Sequence, residues 1–243
     1  MLIPFRALFK KRQHNLRVLI ILMICSFELM AFIHVGEGSN GYLYLRRKLN
    51  WDIIDYTAFT LTAGITGMMA QFTVIPLLSE KLNLRDSTII LIDFGGCFIQ
   101  MIVLALATST WMVYLSSFIA CLESCSYTII RCMISKAVEP DEVGKILSFV
   151  GALQAFIPMI SSPIFGTIYR NTLETLPQTY LIVIACLWFF NFSINVYIDR
   201  NQRRIQKGTS IDLGDLKKEG GKVKKDGSGK DDGNANHGYS STE

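Results

Sequence analysis

The chain has 243 residues, half of them hydrophobic and 18% charged, with a net charge of +4. Residues 200–243 are almost purely polar, so the body is more apolar than that average, unlike a soluble domain and like a polytopic membrane protein with a polar tail. No Walker loop, dinucleotide fingerprint, metalloprotease helix or Gly-x-Ser-x-Gly elbow is present, so the chain is read as not an enzyme. Cys25, Cys97, Cys121, Cys125, Cys132 and Cys186 lie in or beside apolar runs, which marks them as small packing residues rather than a disulfide framework. No metal site and no cofactor is expected.

The chain opens on a basic segment, residues 1–16, "MLIPFRALFKKRQHNL". The apolar run that follows is long for a signal peptide and has no small-residue cleavage site after it, so it is read as a retained span. Six apolar stretches, each of roughly 20 residues, are long enough to cross a bilayer. They cover about 17–36, 57–78, 87–107, 111–132, 147–169 and 178–198, within a transmembrane domain over 17–199. Lys and Arg crowd the N-terminal segment, the loops at 79–86 and 133–146 and the residues after 199, whereas the opposite side holds Arg46, Arg47, Lys48 and Arg170. The positive-inside rule then places both termini in the cytoplasm. The last segment, 200–243, is rich in Gly, Lys and Asp, and its composition predicts a disordered cytoplasmic tail.

Charged side chains are costly in the hydrocarbon core, so those inside the runs mark candidate sites. They are Glu28, His34, Asp93, Glu123 and Arg131, with Gln71, Gln100 and Gln154 as uncharged companions. Glu28 falls near mid-depth of the first span. His34 stands two turns beyond it, near the outer mouth, and its ordinary pKa near 6.5 suits a proton switch. Glu37 lies at i+3 from His34, but Gly36 and Gly38 predict fraying there, so it is read as a loop residue. Asp93 sits one turn into the third span. Glu123, Tyr127 and Arg131 fall at i, i+4 and i+8 and share a helix stripe. Arg131 either snorkels or presents a fixed positive charge to an anion. Pro158 and Pro163 interrupt the fifth span around Ser161 and Ser162, as in the broken helices that line transport sites. Ala63 and Gly67 form a small-residue packing face. The sequon Asn191-Phe-Ser lies inside the last span and is discounted.

Several stretches together carry a resemblance. These are "IHVG" closing the first span, "LYLRRKLNWD" after it, and "IRCMISKAVEPDEVGKILS" joining the fourth and fifth spans. They resemble the C-terminal half of the proton-coupled folate transporter and heme carrier family, solute carrier family 46, within the major facilitator superfamily. The resemblance covers about residues 5–200. It implies an all-α membrane protein, six helices forming one half of a twelve-helix fold, here helices seven to twelve. It also implies roles in proton coupling and substrate affinity for His34, in "IHVG", and in transport for Arg131, just before the Ser-Lys block. The N-terminal half of the family has no counterpart in these residues. The basic start looks like the end of the family's central loop, which favours a piece of a longer carrier.

Two functions are therefore expected. The first is proton-coupled uptake of an organic anion, folate-like or related, as the C-terminal half of a carrier. Its partners are the solute, the lipid bilayer, and the missing six-helix half or another carrier chain, with protons as coupling ion and no nucleic acid. The second is a non-transporting paralogue acting as a membrane interaction or regulatory subunit. A membrane enzyme built on Glu28 or Glu123 has no nucleophile–base pair behind it. The plasma membrane is expected ahead of an endolysosomal one.

Overall fold

The computed structural model describes residues 16–77, 84–174 and 176–226. Among them the chain is helical, with no strand: α1 (Leu16–Leu49), α2 (Ile53–Pro76), α3 (Asp86–Leu106), α4 (Thr110–Ile119), α5 (Glu123–Ala137), α6 (Pro140–Thr172) and α7 (Thr179–Asp226). The chain divides into two compact units, 1–201 and 202–243, and the bundle described below belongs to the first.

Four of these helices, Arg17–Leu49, Asp86–Leu106, Pro140–Thr172 and Thr179–Arg204, are long and apolar enough to cross a membrane by length and composition. Six spans are thus not shown. The second expected span falls on α2, which is not among these four and carries Thr57, Thr60, Thr62, Thr66 and Thr73. Each of these hydroxyls is satisfied by the helix itself, donating to the carbonyl four residues back, as Thr57 does to Ile53 at 2.7 Å. The fourth expected span, 111–132, is divided between α4 and α5. There the Cys121 N–H bonds to the Phe118 carbonyl and the Glu123 N–H to the Ala120 carbonyl, three residues back rather than four. This tightened turn separates the two helices.

The first span also runs beyond its expected end at 36, since α1 continues to Leu49. Gly36 and Gly38 do not fray it, because tertiary packing outweighs their weak helix propensity. A Cβ at Gly36 would overlap the ring of Phe165, so glycine is what lets α1 and α6 approach. Tyr44 and Leu45 are buried further along the same helix. Asn50, with a left-handed φ of 54°, ends it. Two aspartates hold the start of α2: Asp52 accepts from the Ile53 N–H at 2.7 Å, and Asp55 accepts from the Asp52 N–H at 3.1 Å, the return half of a capping box. At the other end of the chain, α7 continues to Asp226 through residues whose composition predicts a disordered tail from 200; residues 227–243 lie outside the described residues.

Contacts at the helix ends give the direction of each helix. At one end Lys48 meets Ala105, Trp51 meets Thr110, and Tyr44 and Tyr169 meet Tyr180. At the other, Ser87 donates to Asp199 at 2.7 Å and Lys136 pairs with Asp86 at 3.1 Å. The helices therefore run alternately up and down, with α4 and α5 continuing in one direction. The core lies between α1, α3 and α7, where Phe27, Phe94, Cys97, Met101 and Trp188 are fully buried. In a bilayer such helices associate through close packing and interhelical hydrogen bonds. The Asn195 amide donates to the Ser26 hydroxyl at 2.6 Å and the Asn191 amide to the Ser26 carbonyl at 3.1 Å. Asn191 is completely buried, so its sequon is inaccessible in this fold.

Candidate functional site

The continuation of α1 past Gly36 puts His34 and Glu37 one helical turn apart. The break after α4 puts Glu123 at the first position of α5, facing them. His34 Nδ1 lies 3.0 Å from Glu123 Oε1, and potential ligand atoms of His34, Glu37 and Glu123 all lie within 4.8 Å of one another. Tyr127, one turn on from Glu123, sets its ring edge-on to His34 with centroids 6.2 Å apart. The three residues stand on the wall of a cavity of about 450 Å³ bounded by α1, α2, α3, the α4–α5 junction and Tyr180. Neither Lys nor Arg is among its lining residues. The wall also carries Tyr56, Thr60 and Gln100, and on α2 Ala63, Gly64 and Gly67, which leave room where larger side chains would fill it.

The other expected site residues are placed differently. Asp93 is deeply buried and accepts from the Ser126 hydroxyl and the Cys97 thiol, so it ties α3 to α5 and does not line the cavity. Arg131 is exposed; it donates to Gln154 Oε1 at 2.9 Å and stacks over Phe27 with its guanidinium carbon 5.4 Å from the ring centroid. Both carboxylate oxygens of Glu28 are buried without a hydrogen-bond partner, within electrostatic reach of Arg131. His34, Glu37 and Glu123 thus gather at the cavity, Glu28 of α1 lies near Arg131 of α5, which bonds to Gln154 of α6, and Asp93 stands apart from both. Glu37 is the residue the sequence reading set aside. Its i+3 spacing from His34 was the available signal, and the flanking glycines masked it.

Ser161 and Ser162, between the two prolines of α6, also face α1. Ser161 donates to the Phe32 carbonyl at 2.6 Å, and Ser162 meets the Ser39 hydroxyl at 2.9 Å. The proline-broken helix is thereby fastened to the helix that carries His34.

This is the architecture of an α-helical integral membrane protein with a titratable cluster on a cavity between its helices. No family model matches the chain. It is 25% identical over 182 residues to the probable peptidoglycan muropeptide transporter SLC46 of Drosophila melanogaster, covering 74% of this chain and 35% of that protein. It is 26% identical over 187 residues to the lysosomal proton-coupled steroid conjugate and bile acid symporter SLC46A3 of Gallus gallus, covering 76% and 37%. The human hippocampus abundant transcript 1 protein is 23% identical over 180 residues, covering 72% and 36%. The resemblance to solute carrier family 46 stands, and the chain spans about a third of the length of the curated relatives it matches. That two of these relatives are named as transporters supports reading the chain as not an enzyme.

Proposed function

We propose that the chain forms the C-terminal six-pass half of a major facilitator transporter that couples inward movement of an organic anion to protons. The carrying observation is the His34–Glu123 contact of 3.0 Å on the cavity wall, a titratable pair that joins two helices. The imidazole is an ion-pair partner for a carboxylate when protonated and a neutral hydrogen-bonding group when not. Its charge is felt by Glu37 on the same helix and by Glu123 across the gap, with Tyr127 as their neutral neighbour. Arg131, exposed beside Glu28 and Gln154, supplies the positive charge that attracts the anion. The chicken relative is named for steroid conjugates and bile acids, so the solute is assigned only as an organic anion, with folate-like compounds as one class. The positive-inside count puts both termini in the cytoplasm. The plasma membrane is the proposed location, although that relative is named as lysosomal.

The test is uptake into proteoliposomes. Uptake is expected to be several-fold faster with an outer pH near 5.5 than near 7.5 against a neutral lumen, because the coupled protons then run down their gradient. His34→Ala should flatten the profile, and Arg131→Ala should abolish uptake at both values. Uptake independent of pH in the unaltered protein overturns the mechanism.

A second reading is a non-transporting subunit that associates with another carrier chain. Absence of uptake by the chain alone, with uptake restored by a co-reconstituted N-terminal half, favours the half-carrier; co-purification with a full-length carrier without any gain in uptake favours the subunit.

A further inference from the structure

We infer that His34, Glu37 and Glu123 form a binding site for a divalent transition-metal ion, with the open coordination position facing the cavity. The inference concerns the same cluster as the proposed proton coupling but stands on its geometry alone. His34 and Glu37 form a His-x-x-Glu pair on one face of α1, and Glu123 approaches from a different helix, so three potential ligands converge from two helices. Their ligand atoms already lie within 4.8 Å of one another. A Zn²⁺ ion bound at about 2.0–2.2 Å from each needs them about 3.3–3.6 Å apart in a tetrahedral arrangement, a difference within reach of side-chain rotation. Two carboxylates and one neutral imidazole carry a charge of −2, which a dication balances. Among the described residues no Lys or Arg on the cavity wall competes for that role.

A second observation points into the same space. Gln100 is 7% exposed and its Oε1 has no hydrogen-bond partner; Tyr180 is 0% exposed and its hydroxyl has none. Both line the cavity beside the cluster. Buried acceptors left unpaired are costly, and water carried by a metal ion is a strong donor. One nitrogen and two carboxylates leave a coordination position for such a water, as in three-ligand zinc centres. The mixed nitrogen and oxygen set favours Zn²⁺ or a neighbouring transition ion over Mg²⁺ or Ca²⁺, which take mainly oxygen ligands.

The experiment is equilibrium dialysis of the full chain in detergent against Zn²⁺ near neutral pH, after exposed thiols have been alkylated. One saturable site is expected, not displaced by excess Mg²⁺. His34→Ala, Glu37→Gln and Glu123→Gln should each weaken it by at least about tenfold, the scale at which even outer-shell partners act. His34→Asp, which restores a ligand, should recover much of the loss. Unchanged circular dichroism and size-exclusion elution show that a variant is folded. If His34→Ala does not fold, the isosteric Glu37→Gln and Glu123→Gln variants decide. Equal Zn²⁺ affinity in the unaltered chain and the folded variants, or absence of a saturable site, overturns the inference. pH-dependent uptake without Zn²⁺ binding would remove the metal site and leave the transport reading intact; Zn²⁺ binding with pH-independent uptake would do the reverse.

Discussion

Lys48 answers a question its charge raises, since it belongs to the largest basic cluster on the otherwise less basic side of the bundle. Its ammonium donates to the Ala105 carbonyl at 2.6 Å and to the Tyr44 hydroxyl at 2.7 Å. Tyr44 in turn donates to the Leu104 and Ala105 carbonyls at 3.3 and 3.4 Å. These carbonyls end α3, where the helix dipole is negative and backbone acceptors lack intrahelical partners. Lys48 is therefore a helix C-cap supplied from a neighbouring helix. Replacing it with Met should lower stability by about 1–2 kcal/mol. Thermal unfolding in detergent would show this as a lower midpoint, and Lys48→Arg should retain part of the difference. An unchanged midpoint in Lys48→Met would show that the cap contributes nothing. Glu37 illustrates the same scale from the other side: its place on the cavity wall depends on one continued helical turn.

At the scale of elements, the seam between α1 and α6 organises the site. Pro158 and Pro163 each deprive α6 of a backbone donor, and the serines between them bond to α1. Gly36 lets the Phe165 ring sit against α1, and Phe165 is itself 1% exposed, so that ring has little room to yield. Gly36→Val should consequently cost about 1–3 kcal/mol by overpacking. Adding Phe165→Leu should recover part of that loss in the same unfolding assay. If the double variant is no more stable than Gly36→Val alone, the seam is not the cause. The sequence marked this seam only as a pair of prolines and a fraying glycine; the physical role of each depended on which helix lay opposite.

For the whole molecule, the contacts at the helix ends define two faces. One holds Asn50, Trp51 and Thr110; the other holds Asp86, Lys136 and Asp199. With the proposed orientation, a cysteine placed at Asn50 in a cysteine-free background should react with an impermeant maleimide from outside intact cells. One placed at Glu139 should react only after permeabilisation. The opposite pattern would invert the topology and move the His34 cavity to the cytoplasmic side.

The apolar runs by themselves determined that the chain is helical and suited to a membrane, because continuous apolar stretches of that length satisfy their backbone in lipid only as helices. They also placed His34 at the end of a run and marked Glu123 as an unusual charge. The motifs carried the family resemblance. Composition could not place the interruption between α4 and α5, because the run from 111 to 132 is apolar on both sides of a turn set by backbone hydrogen bonds. Nor could spacing along one chain show that Glu123 meets His34 while Asp93 turns inward to Ser126. Those pairings join residues 89 and 33 positions apart, and only the packing of whole helices against one another decides them.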